Sequence, residues 1–197
     1  MDKRELSAIS GAKDALYIAH EDKRLLLLVY PYAPFAPFPK GYLYLDAYYP
    51  ASNYAYNKAK ELCSWIKAQG KEAEIFEDIP LKKAGALSKA LAFGQNRLLS
   101  HETFGSYIVL QCIKTDYAFD LPLLNFDQEA PLQINPVCAS CQLCVKACPN
   151  KALNAGFIRS RCLRDIMNKT QNARTITLLG DCVLGCTICR QACPLNA

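Results

Sequence analysis

Residues 138–149, CASCQLCVKACP, contain four cysteines and dominate the fold of the C-terminal third of the chain. Their spacing is C-x2-C-x2-C-x3-C-P, and residues 186–194, CTICRQACP, repeat its tail as C-x2-C-x3-C-P. Three thiolates at this spacing can wrap a loop around three irons of one cube, while the fourth reaches a neighbouring cluster. The proline then turns the chain away. The pattern predicts two [4Fe–4S] clusters.

Zinc and disulfides are the competing roles for these cysteines. Paired C-x-x-C elements also form zinc sites with four thiolate ligands, which would give a zinc-stabilised binding module with a basic face. Zinc ribbons, however, need neither a third cysteine at the same step nor the trailing Cys-Pro. Disulfides suit secreted proteins, whereas residues 1–5 are charged and no apolar segment of a secretory signal follows them. We expect a cytoplasmic protein.

Two cubes need eight ligands, and the two runs supply seven: Cys138, Cys141, Cys144, Cys148, Cys186, Cys189 and Cys193. The eighth is Cys162 or Cys182. Cys182 lies four residues before Cys186, and Cys162 follows Arg161 at the predicted start of a helix. Spacing alone favours neither of the two.

Composition and charge limit the possible classes of protein. The chain has 197 residues, 51% hydrophobic and 21% charged, which indicates a globular protein. Its longest apolar run, residues 25–30, is too short to span a bilayer, so membrane insertion is not expected. Residues 131–197 have eight Lys and Arg against two Asp and Glu. A basic excess can indicate nucleic-acid binding, but two clusters of about −2 charge each would compensate most of it.

The expected fold class is α+β. Residues 1–130 are predicted to form an α/β sandwich-like domain, and residues 131–197 a small helical domain like a two-cluster bacterial ferredoxin. Residues 116–137 connect them.

Apolar patterning predicts the elements of the first domain. The predicted strands cover residues 25–29, 73–76 and 106–112, and the predicted helices cover residues 53–69 and 82–93. Residues 30–56 are rich in Pro and Tyr and are predicted to form a long loop, because closely spaced prolines interrupt a helix. His20 and His101 are interpreted as surface imidazoles.

Six short motifs point to one known family. In order, they are Gly94-Gln95-Asn96, Phe104-Gly105-Ser106-Tyr107, Cys148-Pro149-Asn150-Lys151-Ala152, Arg161-Cys162, Gly185-Cys186 and Cys193-Pro194-Leu195-Asn196. From about residue 29 onward the chain resembles the epoxyqueuosine reductases, iron–sulfur and cobalamin enzymes related to the reductive dehalogenases. The resemblance implies a minimal oxidoreductase that transfers electrons, served by a redox partner protein.

The resemblance also implies the ligand sets, because its arginine-cysteine position is a ligand and corresponds to Cys162. The first cluster would be bound by Cys138, Cys141, Cys144 and Cys193, and the second by Cys148, Cys162, Cys186 and Cys189. The remaining cysteines, Cys63, Cys112 and Cys182, would be free thiols.

The chain departs from the family near the corrin. The family's Asp-Tyr-His triplet is replaced by Asn53-Tyr54-Ala55, and the glycine-rich segment before Gly94 is shorter. The chain is expected to be shortened at both ends, without the family's longer N-terminal region and its tRNA-binding repeats. These departures argue against cobalamin and tRNA binding.

One catalytic candidate remains, Asp78, or Glu77 if the alignment gap falls differently. It corresponds to a family aspartate at a strand end before a proline, which acts as the proton donor. Burial beside a pocket could raise the pKa of such a carboxyl and make it a general acid. The alternative function is therefore a cobalamin-dependent reductase of a modified nucleoside or a related small substrate.

Overall fold

The computed structural model describes residues 1–36, 39, 41–127, 129, 131, 134–154, 156–170, 176, 179 and 182–196. The chain divides into two compact units that are interleaved in sequence. The sheet unit comprises Met1–Tyr32, Pro50–Leu91 and Ile108–Gln133, and the cysteine unit comprises Ala33–Tyr49, Ala92–Tyr107 and Ile134–Ala197. The predicted domain boundary near residue 130 stays a prediction.

The described strands are β1 (Asp14–His20), β2 (Lys23–Pro31), β3 (Tyr44–Leu45), β4 (Ala73–Ile75), β5 (Leu91–Phe93), β6 (Leu99–His101), β7 (Ile108–Thr115), β8 (Leu123–Asn125) and β9 (Cys182–Leu184). The described helices are α1 (Lys3–Ser10), α2 (Tyr48–Ala68), α3 (Leu81–Gly85), α4 (Cys138–Cys141), α5 (Leu143–Ala147), α6 (Leu163–Lys169) and α7 (Ile188–Gln191), with 3₁₀ turns at Arg159–Arg161 and Pro194–Asn196.

The sheet unit is built on a five-stranded sheet in the order β4-β7-β2-β1-β8. Neighbouring strands are antiparallel except β1 and β8, which are parallel. Strand β2 is central, and its residues 25–29 are fully buried, as a strand covered on both faces requires. The predicted strand at these positions is confirmed, and so is the α+β class.

Helix α2 begins earlier than predicted. The loop expected over residues 30–56 is wrong from Tyr48 onward, because Pro50 lies in the first turn of α2, where its missing N–H is not needed. The Oδ1 atom of Asp46 accepts a hydrogen bond of 3.0 Å from the backbone N–H of Tyr48 and helps to start the helix. The end of the helix at Ala68 agrees with the prediction within one residue.

The helix predicted over residues 82–93 is also wrong in its second half. Helix α3 ends at Gly85, and the hydroxyl of Ser88 accepts a hydrogen bond from the N–H of Ala90. Such a local side-chain bond competes with helical pairing. The chain then forms β5, which pairs with β6 in a two-stranded sheet.

His101 is buried rather than on the surface. Its ring stacks on Phe104, and its Nδ1 accepts a hydrogen bond from the N–H of Thr103. His20 is half-buried against Phe126. In the described part of the chain, no helix combines the length and the apolar character needed to cross a membrane.

Candidate metal centre

The first cysteine run folds as two short helices separated by a sharp turn. Cys138 and Cys141 lie at the ends of α4, and Cys144 lies in α5. Between the helices, Gln142 adopts a left-handed conformation with φ of 55°, which interrupts the helix and redirects the chain. The run is therefore a tight coil rather than a continuous helix, as a loop that wraps a metal cluster requires.

Four cysteines of the cysteine unit line one cavity that is partly open to solvent. They are Cys138, Cys141, Cys144 and Cys193. Burial raises the pKa of the Cys144 thiol most, and the charges of Cys193 and Cys138 raise it further. These thiolates repel one another, so a cationic iron core in their midst would compensate the repulsion. The residues present fit a [4Fe–4S] cluster.

The other four cysteines of the predicted ligand sets also act on one another. Burial, followed by the charges of Cys162 and Cys148, raises the pKa of Cys186 to about 11. Burial, followed by the charge of Cys186, raises the pKa of Cys189 to about 12. The Sγ atom of Cys148 also accepts a hydrogen bond of 3.3 Å from the N–H of Ala152, a contact that tunes cluster sulfurs.

Cys162 and Cys182 have different surroundings. Cys162 is the residue before α6, in agreement with its predicted position at the start of a helix, and its side chain is half-buried. Cys182 is buried in a small apolar cluster with Met167. Its thiol donates to the carbonyl oxygens of Leu184 and Gly185 at 3.2 and 3.5 Å. Cys182 therefore already has partners in its own strand and in the residue after it, whereas the charge of Cys162 acts on Cys186 in the second group.

Neither group is arranged around a single ion. Among the residues that the structure describes, no three His, Cys, Asp or Glu side chains are placed to hold one metal ion. The four sulfurs of a tetrahedral zinc site would each lie about 2.3 Å from the metal. Ligands of a cube bind four separate irons and lie further apart.

The family motifs that contain no cysteine brace the ligand loops. The amide of Asn96 donates to the carbonyl oxygen of Cys189 at 3.4 Å. The Oδ1 atom of Asn196 accepts hydrogen bonds from the backbone N–H and hydroxyl of Ser106 at 2.6 and 3.2 Å. Gly105, with φ of 59°, has the carbonyl oxygen of Leu195 within 2.5 Å of where a Cβ would stand, so the site requires glycine.

Sequence reasoning missed a buried ion pair in the cysteine unit. Nη1 of Arg190 lies 3.5 Å from Oδ2 of Asp46, and both residues are almost fully buried. Arg190 also lies over the ring of Tyr107, 5.4 Å from its centroid. The signal available in the sequence was an arginine between two cysteines of one run, but its partner lies far away along the chain.

Asp78 lies in an exposed bend between β4 and α3, and Glu77 is exposed beside it. The burial expected of a general acid is therefore not seen at either carboxyl. In α2, Asn53 and Tyr54 are exposed and Ala55 is buried. Ala55 offers neither an imidazole nor any other polar group, so this triplet does not fit the family's corrin site.

Comparison with known proteins agrees with the geometry of the cysteine unit. Residues 137–196 match the family model of the 4Fe-4S double cluster binding domain. The epoxyqueuosine reductase of Lactococcus garvieae is 30% identical over 155 residues, which are 71% of this chain and 40% of that protein. That of Leadbetterella byssophila is 26% identical over all of this chain and 62% of its own length. The chain thus spans less than two thirds of these curated relatives.

Solved structures show the same fold. A crystal structure of epoxyqueuosine reductase with a tRNA-Tyr epoxyqueuosine-modified tRNA stem loop has a TM-score of 0.61 and 18% identity, over 89% of this chain and 49% of that one. The Bacillus subtilis enzyme has a TM-score of 0.62 and 18% identity over the same shares. Together with the double-cluster domain, these likenesses support an iron–sulfur oxidoreductase. The resemblance that the motifs predict is confirmed: the chain is an epoxyqueuosine reductase-like iron–sulfur protein.

Proposed function

We propose that this chain binds two [4Fe–4S] clusters and transfers single electrons through them, as a cytoplasmic oxidoreductase. The observation that carries the proposal is the cavity lined by Cys138, Cys141, Cys144 and Cys193. These cysteines come from the two separate cysteine runs, and they are the set that the family resemblance implies for the first cluster. Neighbouring clusters that share such loops pass electrons readily, at potentials tuned by hydrogen bonds and solvent exposure.

The second cluster would be bound by Cys148, Cys162, Cys186 and Cys189. The mutual effects of their charges support this set. The thiol of Cys182 is engaged by backbone carbonyl oxygens, which argues against it as the eighth ligand. Each set then combines residues from both runs, the pattern expected when the fourth cysteine of a run reaches the other cluster.

Metal analysis of anaerobically purified protein tests the proposal. Two cubes require about eight irons and eight acid-labile sulfides per chain. Reduction should give the electron paramagnetic resonance signal of reduced [4Fe–4S] clusters, and a one-electron donor should reduce and reoxidise them reversibly. Stoichiometric zinc without labile sulfide would overturn the proposal.

A redox partner protein would have to approach the cysteine unit, and the surface of that unit suits an acidic partner. Val137 and Leu143 are exposed apolar residues next to the ligands Cys138 and Cys144. Exposed basic residues follow in the same unit: Lys146, Lys151, Arg159 and Arg161. Rates of reduction by an acidic one-electron carrier should fall as salt is added, because salt screens the attraction between the basic surface and the carrier. Salt-independent rates would argue against such a partner.

The second candidate function is a cobalamin-dependent reductase of a modified nucleoside or a related small substrate, with Asp78 as proton donor. The position of Asp78, in the bend directly after β4, favours it. The buried Ala55 argues against the corrin, so we expect weak cobalamin binding or none. A cobalamin titration of the anaerobic holoprotein, followed by visible spectra and calorimetry, decides. Micromolar binding would favour this second function, and adding an epoxyqueuosine tRNA stem loop would then test its substrate.

A further inference from the structure

The buried ion pair of the cysteine unit lies directly beside a proposed cluster ligand. Arg190 follows Cys189 in the chain and is 4% exposed, and Asp46 is 3% exposed. Burying two charges costs several kcal/mol of desolvation unless their mutual attraction and hydrogen bonds compensate for it. A buried ion pair is therefore weak evidence for a stabilising role, and another role should be sought. Neither Arg190 nor Asp46 belongs to a proposed ligand set, so iron binding does not account for the pair.

The position of Asp46 is fixed by backbone contacts. Its N–H donates to the carbonyl oxygen of Leu184 at 2.9 Å, which holds it beside β9. Gly185, with φ of 103°, makes room for it, because a Cβ there would lie 2.6 Å from Cβ of Asp46. Among the described residues, no hydrogen bond reaches Oδ2 of Asp46. Its negative charge is therefore balanced by the guanidinium of Arg190, 3.5 Å away.

The two members of the pair differ in their place relative to the ligand. Arg190 follows Cys189 directly in α7. Asp46 belongs to a remote segment of the chain and is held beside β9 by its bond to Leu184. The arginine is thus the charge that adjoins the cluster ligand, and the aspartate sets how much of its positive charge is compensated.

Reduction adds one negative charge to an iron–sulfur cluster. A nearby positive charge stabilises the reduced form and raises the reduction potential, and a negative charge lowers it. Because both side chains are buried, solvent and salt screen them little. We propose that Arg190 and Asp46 set the reduction potential of the cluster bound by Cys189, the arginine raising it and the aspartate lowering it. This inference rests on the proposed two-cluster function.

The test compares substitutions that break the same pair from opposite sides. In the full-length holoprotein, Arg190→Gln removes the positive charge and leaves the carboxylate. It should lower the equilibrium constant for reduction of the second cluster at least about tenfold, which is about 59 mV for one electron. Asp46→Asn keeps an oxygen for the N–H of Tyr48 and should shift the potential upward. Potentials are read from redox titrations followed by electron paramagnetic resonance.

Two further variants separate charge from structure. Arg190→Lys keeps the charge but loses the planar fork, so the potential should stay close to that of the unsubstituted protein. Arg161→Gln removes an exposed charge beside the ligand Cys162 and should change the equilibrium constant by under about threefold, because solvent screens it. Thermal unfolding of each variant measures the loss of stability, which should be large for both Arg190→Gln and Asp46→Asn.

The outcomes separate this inference from the proposed function. An unsubstituted protein without iron and sulfide would overturn the proposed function, and this inference with it. Two clusters whose potentials are unchanged in Arg190→Gln and Asp46→Asn, or shift in the same direction, would overturn this inference alone. Loss of the clusters in Arg190→Gln, Asp46→Asn and Arg190→Lys together would show that the pair is only structural and would overturn it as well.

Discussion

The two units of this chain are stabilised by different means. Among the described residues, the largest fully buried side chains lie in the sheet unit with the one exception of Met167: Leu6, Ile18, Leu25, Leu26, Leu27, Leu28, Val29, Leu62, Ile66, Val109 and Ile113. The described apolar cluster of the cysteine unit is small and contains Leu163, Met167, Leu179 and Cys182. The sheet unit can therefore be stabilised by burial of apolar surface, at about 25 cal/mol per Å².

In the described part of the cysteine unit, the helices are short and fewer large apolar side chains are fully buried than in the sheet unit, yet it holds a buried ion pair and many thiols. Small domains without a sufficient core use metals or cross-links for stability. From this difference we expect that the sheet unit folds by its own core and that the folding of the cysteine unit depends on the proposed clusters. Each of the following predictions can break or sharpen this comparison.

Removal of both clusters should have the largest effect, and only on the cysteine unit. Structural metal sites contribute about 10–16 kcal/mol in zinc-finger peptides, more than any single side chain. Hydrogen exchange of the iron-free protein should show lost protection in α5 and α6 and retained protection in β2 and β7. Loss of protection in both units to the same extent would contradict the comparison.

Loss of one ligand should remove about half of the iron. We expect Cys162→Ala to leave about four irons per chain and to destabilise the cysteine unit, because Cys162 is a proposed ligand. The matched control is Cys182→Ala, which should keep about eight irons, since its thiol is bonded to backbone carbonyls. Iron and sulfide analysis with visible spectra measures both. The reverse result would exchange the two assignments.

A cavity in the sheet should lower stability without changing the clusters. Leu27→Ala, in the centre of β2 and fully buried, should reduce the free energy of unfolding of the sheet unit by about 2–5 kcal/mol. Denaturant unfolding followed by far-ultraviolet circular dichroism gives the change. The cluster absorption of the folded protein should be unaltered, and a bleached spectrum would show that the units are not independent.

The smallest effect concerns the thiols of the sheet unit. Burial raises the pKa of Cys112 to about 12 and that of Cys63 to about 11. Since the thiolate is the reactive form, at pH 8 at most about one thousandth of either residue is thiolate. Both should resist alkylation in the native protein, even after iron removal exposes the cysteines of the other unit. Mass spectrometry of labelled peptides checks this, and rapid labelling of Cys112 would contradict a closed core.

Sequence reasoning succeeded where the signal is local. The apolar run at residues 25–29 has the length of a buried strand, and the cysteine spacing predicts the cluster-binding loops. It failed where a side chain a few residues away decides the local structure. Pro50 suggested a loop, but Asp46 starts a helix that places the proline in its first turn. His101 looked exposed among polar neighbours, but its ring stacks on Phe104.

The pair of Asp46 and Arg190 was beyond sequence reasoning altogether. The two residues are brought together by the pairing of β3 with β9, and no periodicity within one segment announces a pairing between remote segments. The roles of Asn96 and Ser106 were similarly hidden: their motifs indicated a family, but only the hydrogen bonds to the ligand loops show what they do.

The interleaving of the two units also has a consequence for the order of events on the ribosome. Every strand of the five-stranded sheet has been synthesised once residue 125 has been added, before the first cluster cysteine, Cys138, exists. Since domains fold as units while synthesis proceeds at about 5–20 residues per second, the sheet can form first. Residues 33–49 and 92–107 belong to the same unit as residues 134–196, so they can pack with those residues only after the latter have been synthesised. Neither proposed ligand set is complete until Cys189 and Cys193 emerge, so a full set of thiolates for either cluster becomes available only after every strand of the sheet has been synthesised.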